Sequence, residues 1–209
     1  MGRPKTREIQ KTEVRERILN AARAIVASDG FGALTMRKIA EAIDCAPGTI
    51  YLYFENRDEI ARQLCLQGFQ ELLEFMEPAA AVADPLKRLA ALMEAYARFG
   101  MAHPETYRLS FMADPKLAEA VFREAPIDAP GTGGLRAFGF LLQALRELKA
   151  QRRLARAANV TQLAEVVWAS IHGVVSLKLT CPSFPETTAE TLAAAVIRVV
   201  LDGLPGPRR

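Results

Sequence analysis

Histidine occurs only twice and cysteine only three times in the 209 residues. Neither histidine belongs to a metal-ligand cluster, and Cys45, Cys65 and Cys181 are scattered and odd in number, so the sequence carries neither a zinc spacing nor a disulfide framework. No metal and no cofactor is expected. No serine or cysteine beside a histidine forms a nucleophile motif. Gly131-Thr132-Gly133-Gly134 lacks the Gly-Lys-Ser/Thr ending of a phosphate loop and follows no strand, so the reading is not an enzyme. Apolar runs long enough to span a bilayer are missing, and the first residues are too charged for a secretory signal. A reduced, cytoplasmic setting without a membrane partner is expected. Met1-Gly2 with Thr6 fits a loose acylation pattern, but Arg3-Pro4-Lys5 reads as a flexible basic arm. Strand patterns, internal repeats and low-complexity segments are absent as well.

Charge at one end and helical punctuation throughout are what the sequence does contain. Residues 1–23 hold seven basic side chains (Arg3, Lys5, Arg7, Lys11, Arg15, Arg17, Arg23) against three acids (Glu8, Glu13, Glu16), whereas the whole chain nets only +3. A basic end on a nearly neutral body suits a protein that meets phosphate with that end alone; a solvated charged helix is the plain alternative. Half of the residues are hydrophobic, enough for a real core. Val14, Ile18, Ala22 and Ile25 predict a first helix over residues 14–29, closed by Gly30. Thr35, Asn56 with Glu59, Asp84-Pro85, Asp114-Pro115, Asn159 with Gln162, and Thr187 with Glu190 read as helix starts, and His103-Pro104 as a break. A Gly/Pro-rich loop over 125–134 precedes an amphipathic run over 135–149, and residues 203–209 read as a frayed tail. The expected fold is all-α, with about nine helices.

Residues 34–60 are the most informative stretch. Ile39, Ala40 and Ile43 share one face of a short helix, Asp44 and Cys45 break its register, and Pro47 opens a second short helix in which Ile50 and Phe54 point inward. Leu34-Thr35, Arg37-Lys38-Ile39-Ala40, Gly48-Thr49-Ile50-Tyr51 and Tyr53-Phe54-Glu55-Asn56-Arg57-Asp58-Glu59-Ile60 together resemble the helix-turn-helix of TetR-family transcriptional regulators. A helical hairpin of a bundle that binds no nucleic acid is the alternative. The resemblance implies a DNA-binding domain over residues 1–57 and a helical effector-binding and dimerisation domain over 58–209. It carries DNA contacts onto Thr35, Arg37, Pro47, Gly48, Thr49, Tyr51, Leu52, Tyr53 and Arg57, with Arg3 and Lys5 of the arm beside a minor groove. The second short helix has no Arg, Lys, Asn or Gln, the side chains that read guanine or adenine bidentately. Specificity is then expected from elsewhere: the resemblance puts Arg37 at a position used for base contact and the arm beside a minor groove, and Arg57 at a helix start is expected to hold phosphate.

In the second half, Trp168-Ala169-Ser170-Ile171-His172-Gly173 with His103-Pro104-Glu105-Thr106-Tyr107-Arg108-Leu109 looks like the C-terminal domain of the TetR subgroup with a Trp-x-x-x-His-Gly signature. The resemblance implies a small-molecule effector, expected to be apolar or aromatic because its candidate lining is aromatic and aliphatic. That lining is Tyr96, Phe99, Tyr107, Phe111, Phe138, Leu141, Trp168 and His172, each of which ordinary packing also explains. The implied partners are double-stranded operator DNA and a second copy of the chain. Two apolar stripes, Val160, Ala164, Val167, Ile171 and Val174, then Leu192, Ala195, Val196 and Val199, are candidates for the homodimer contact, shared with the core.

Overall fold

The computed structural model describes residues 3–112 and 133–206, with side chains from residue 9 onward. The expected helix start at Asp114-Pro115 and residues 125–132 of the expected loop lie outside the described residues. Among those described there are nine α-helices and no strand. They are α1 (Arg3–Asp29), α2 (Met36–Ala42), α3 (Pro47–Ile50), α4 (Arg57–Ala80), α5 (Pro85–Ala102), α6 (Pro104–Phe111), α7 (Gly133–Ala150), α8 (Val160–Thr180) and α9 (Ala189–Asp202), with a single 3-10 turn at Phe31–Ala33.

Helix starts follow the side chains that satisfy their free N–H groups. Thr35 accepts from Lys38 N at 3.1 Å, Asn56 from Glu59 N at 2.9 Å, Asp84 from Leu86 N and Lys87 N at 3.0 and 2.9 Å, and Asn159 from Gln162 N at 3.2 Å. Three boundaries differ from the sequence reading. The last helix is capped by Thr188, which accepts from Thr191 N, rather than by Thr187. Gly133 and Gly134 are buried in the first turn of α7 instead of in a loop. Helix α1 begins at Arg3, eleven residues before the first periodic apolar position. Residues 3–13 hold a single large apolar side chain, Ile9, so periodicity has nothing to read there; Lys, Arg, Glu and Gln are good helix formers, and Pro4 is tolerated in a first turn.

The described residues divide into two compact units, one within Met1–Gly68 and Glu105–Glu124, the other within Phe69–Pro104 and Ala125–Arg209. The division falls inside α4, later than a 57/58 boundary, because α6 packs on its first half. The Cys65 thiol donates to Leu109 O at 3.5 Å, and a Cβ at Gly68 would lie 2.6 Å from Ser110 Oγ. In the first unit Ile18, Ala22, Leu34, Ile39, Ile50, Phe54 and Ile60 form the core.

In the second unit α5 is central, packed by α7, α8 and α9. Arg88 is a buried clamp: Nε donates to Val82 O at 2.6 Å, Nη2 to Ala83 O at 3.0 Å, and Nη1 pairs with Glu147 at 2.9 Å. That satisfies the carbonyls of the turn before α5. Helix α8 is apolar on two faces. Ala164, Val167, Ile171, Val174 and Val175 are buried, while Val166 and Leu177 are exposed, with Ala169 and Gly173 between them. Contrary to the sequence expectation, α8 is long and apolar enough to cross a membrane by length and composition.

Candidate functional site

Short helices need a tight joint to hold a constant angle, and the joint between α2 and α3 is made by Asp44 in the left-handed region, at φ 54°. Cys45 N then bonds back to Ala40 O at 3.0 Å. Helix α3 is a single turn started by Pro47; beyond Ile50 the chain continues in tighter turns, with Leu52 N on Thr49 O and Tyr53 N on Ile50 O. Ile50 and Phe54 are 0% and 1% exposed, whereas Tyr51 and Leu52 are 57% and 76% exposed. The structure therefore splits this segment as the sequence reading does: Pro47, Gly48, Tyr51 and Leu52 face outward, and Thr49 and Tyr53 are at least partly open. Nothing lies within 4 Å of a Cβ built on Gly48, so a surface brought against α3 reaches its backbone.

Two arginines of α1 that sequence reasoning took only as charge hold this segment in place. Arg15 donates to Tyr53 O at 3.1 Å and lies 4.2 Å over the Phe54 ring, and Arg17 donates to Ile43 O at 3.2 Å. They occupy the carbonyls at the ends of α2 and α3. Only their i, i+2 spacing was legible in sequence, and it does not encode a partner.

The Arg37 side chain is 83% exposed and held by Glu41 at 2.8 Å, so any anion or base edge competes with that carboxylate. Arg57 sits at the first residue of α4, paired with Asp58 at 2.8 Å, its guanidinium 5.0 Å over the Phe31 ring. Thr35 spends its hydroxyl on the α2 cap. Arg3 and Lys5 belong to the backbone of α1 and not to a flexible arm. A helix is about 10–12 Å across and a minor groove about 6 Å wide, so the expected groove probing does not suit the helical form.

The eight candidate effector residues separate into groups. Tyr96 of α5, Phe138 of α7, and Trp168 and His172 of α8 converge: the Trp168 indole donates to Tyr96 Oη at 3.3 Å, Tyr96 Oη lies 2.9 Å from His172 Nδ1, and the Phe138 and Trp168 rings are edge-on at 6.2 Å. Leu141 is buried on α7. Phe99 instead joins a second cluster, edge-on to Phe75 at 5.9 Å and stacked on His103 at 5.3 Å. Phe99 lies three positions beyond Tyr96, nearly one turn further along α5, where Phe75 and His103 are its neighbours. Tyr107 and Phe111 pair with each other at 4.8 Å on α6, within the first unit.

Burial pushes the His172 imidazole below its ordinary range, which favours the neutral ring. Ser176, one turn further along α8, was not foreseen; its Oγ is shut off from solvent with no hydrogen-bond partner. Elsewhere in the second unit a cavity of about 600 Å³ is lined by Phe75, Arg98, Met101, Val174, Val175 and Ala193 among others, and by none of the expected effector residues.

The α8 stripe, expected to be shared between core and dimer contact, divides within the chain, with Val160 partly open. Ala164, Val167, Ile171 and Val174 are core, because α8 is apolar on both sides and sequence cannot say which side turns inward. On α9, Leu192, Ala195, Val196 and Val199 do stay at least partly open, with Val199 70% exposed.

Residues 18–64 match the family model described as bacterial regulatory proteins, tetR family, and residues 89–201 the one described as tetracyclin repressor-like, C-terminal domain. An uncharacterized HTH-type transcriptional regulator of Haemophilus influenzae is 37% identical over 67 residues, 32% of this chain and 36% of that protein. The HTH-type transcriptional repressor KstR of Rhodococcus jostii is 29% identical over 111 residues, 53% of this chain and 47% of that protein. The chain thus spans about a third to a half of the length of these curated relatives. Among solved structures, the TetR family transcriptional regulator PfmR from Thermus thermophilus superposes with a TM-score of 0.65 at 24% identity, covering 90% of this chain and 98% of that one. The fatty acid degradation regulator FadR from Bacillus halodurans gives 0.71 at 18%, covering 92% and 96%. These likenesses show a common fold over 90–92% of the chain, and with the C-terminal model matching more than half of its residues, the chain belongs to the TetR family of bacterial regulatory proteins.

Proposed function

We propose that the protein is a cytoplasmic, homodimeric transcription regulator, a repressor that leaves its operator when a small apolar or aromatic molecule binds the second unit. The observation that carries this reading is the division of the α3 segment into a buried face, Ile50 and Phe54, and an open one, Tyr51 and Leu52 with Gly48. An exposed Leu at 76% and Tyr at 57% beside an unobstructed glycine make a surface without a partner of its own. Thr49 and the tyrosine hydroxyls suit phosphate oxygens, and Leu52 and Pro47 suit thymine methyls. Arg37 is the guanine reader, and Arg57 a phosphate contact at the positive end of α4.

One such head covers half of a useful site, so two copies act together. The outward faces of α8, through Val166, Ala169, Gly173 and Leu177, and of α9, through Leu192, Val196 and Val199, suit the contact between them. Selecting bound fragments from random duplex DNA tests the reading: enrichment of a two-fold site, shifted by a dimer in light scattering, is the expected result. A monomer with no preference for any duplex sinks it.

A further inference from the structure

The cavity of about 600 Å³ in the second unit has an uncharged floor and a charged rim. Phe75, Ala97, Val174, Val175 and Ala193 line the floor, and all but the half-buried Phe75 are closed to solvent. Glu94 and Arg98 of α5 and Glu190 of α9 make the rim, and all three are exposed. Small-molecule sites commonly measure about 300–1,000 Å³, so the volume is ample for a ligand.

Glu94 and Arg98 are the anomaly on this rim. They stand four apart with the acid first, the order that best closes an ion pair along a helix, and Arg37 with Glu41 closes one at 2.8 Å even in the reverse order. On α5 no such pair forms. The guanidinium of Arg98 lies instead 5.8 Å from the centre of the Phe75 ring, whose face attracts it to the cavity wall. Among the described residues the side chains of Glu94, Arg98 and Glu190 make no ion pair and no hydrogen bond. An acid and a base one turn apart are thus both left open at the mouth of an apolar cavity.

We infer that this cavity is the effector site and takes an apolar chain with a dipolar head, an ammonium beside a carboxylate as in a long-chain 2-amino acid, the ammonium meeting Glu94 and the carboxylate Arg98. This inference rests on the regulator reading above. A plain acid gains from Arg98 but meets Glu94 and Glu190 as like charges, and a plain amine meets Arg98 as one. A head with both charges supplies the ion pair that α5 leaves unmade. Burial of the chain carries most of the affinity, about two- to fourfold per methylene, whereas an exposed ion pair adds at most about fivefold and so sets the selection. The α9 wall of the cavity, Ala189, Glu190, Ala193 and Ala194, lies roughly 120° round the helix from Leu192, Val196 and Val199, so a dimer contact through the latter does not need it.

The test titrates the full chain calorimetrically with three probes of equal chain length, 2-aminodecanoate, decanoate and decylamine, at neutral pH. The amino acid is expected to bind about three- to tenfold more tightly than either singly charged probe. Arg98→Gln is expected to remove its advantage over decylamine and Glu94→Gln its advantage over decanoate, both at an unchanged melting temperature because the two positions are exposed. Ala194→Phe, which adds a ring to the cavity wall from an exposed position, is expected to weaken the amino acid at least about tenfold, again at an unchanged melting temperature. Equal affinity for the three probes, tighter binding of decanoate or decylamine, or unchanged affinity in Ala194→Phe overturns the inference. Gel shifts on the selected operator with the same preparations keep the two readings apart. A chain that shifts operator but fails any of these tests, or binds 2-aminodecanoate without releasing operator, keeps its DNA-binding role and loses only the ligand assignment; a chain that shifts no duplex loses the regulator reading and the effector role with it.

Discussion

The α3 segment and the aromatic cluster of the second unit solve opposite problems. On α3 the outward residues touch little of their own protein, and Arg15 and Arg17 fix the backbone from behind. In the cluster the side chains fix one another, through indole, phenol and imidazole. The first arrangement leaves its outward side chains open and lets the core carry the geometry; the second makes the candidate groups part of the core. Stability and recognition should therefore separate cleanly at α3 and be entangled at the cluster.

The largest effect that tests this contrast is expected on the inward side of α3. Phe54→Ala empties a fully buried site and removes the ring under Arg15, and should cost about 3–5 kcal/mol, read as a lower melting temperature with loss of operator binding. Leu52→Ala, one exposed turn away, should leave stability within about 0.5 kcal/mol and weaken operator binding alone. Equal melting losses in the two variants break the comparison.

At the cluster, Tyr96→Phe strips the acceptor from the indole and the donor from Nδ1. It should cost about 1–3 kcal/mol in thermal or denaturant unfolding and change the Trp168 emission together with it. A variant that alters emission with no stability change shows the cluster to be as separable as α3.

A finer division lies among the exposed arginines. Arg37→Ala should relax preference at one base pair and weaken the selected operator roughly tenfold, whereas Arg57→Ala should weaken all duplexes alike and lower the salt slope by about one. Binding isotherms at several salt concentrations, on selected and scrambled duplexes, distinguish them; identical profiles remove the assigned roles.

The smallest effect is a pH dependence in the second unit. Hydrogen bonding by Arg153, then by Lys87 N, holds the Asp84 carboxyl at about 2 against an ordinary 3.8. A depressed acid stabilises the fold fully above its unfolded value and ceases to as pH falls through the folded one. The melting-temperature advantage of the native chain over Asp84→Asn should thus be constant above about pH 4 and shrink toward pH 2.

Legibility followed the range of the interactions. The caps at Thr35, Asn56, Asp84 and Asn159 are satisfied within three residues, and the inward pair Ile50 and Phe54 within one turn, so local pattern sufficed. The convergence of Tyr96 with Trp168 and His172, more than 70 residues apart, came through the family resemblance and not through spacing. Phe99, Tyr107 and Phe111 shared its composition and not its geometry. The inward side of α8 was illegible for a different reason: two apolar faces give periodicity nothing to choose between. Ser176 left no sequence signal beyond its spacing of four from His172, because an unmet hydrogen bond is a property of the folded chain.

Helix α1 is already formed from Arg3, and this changes the thermodynamics of whatever phosphate its basic residues meet. A disordered arm surrenders about 1–2 kcal/mol of backbone entropy for each residue it orders on a duplex, and its association carries the heat-capacity signature of coupled folding. A preformed helix has surrendered that entropy during folding of the chain. Calorimetry of the operator complex should then show a heat-capacity change set by the contact surface alone, and a truncation before Gln10 should alter the enthalpy of binding far more than its heat capacity.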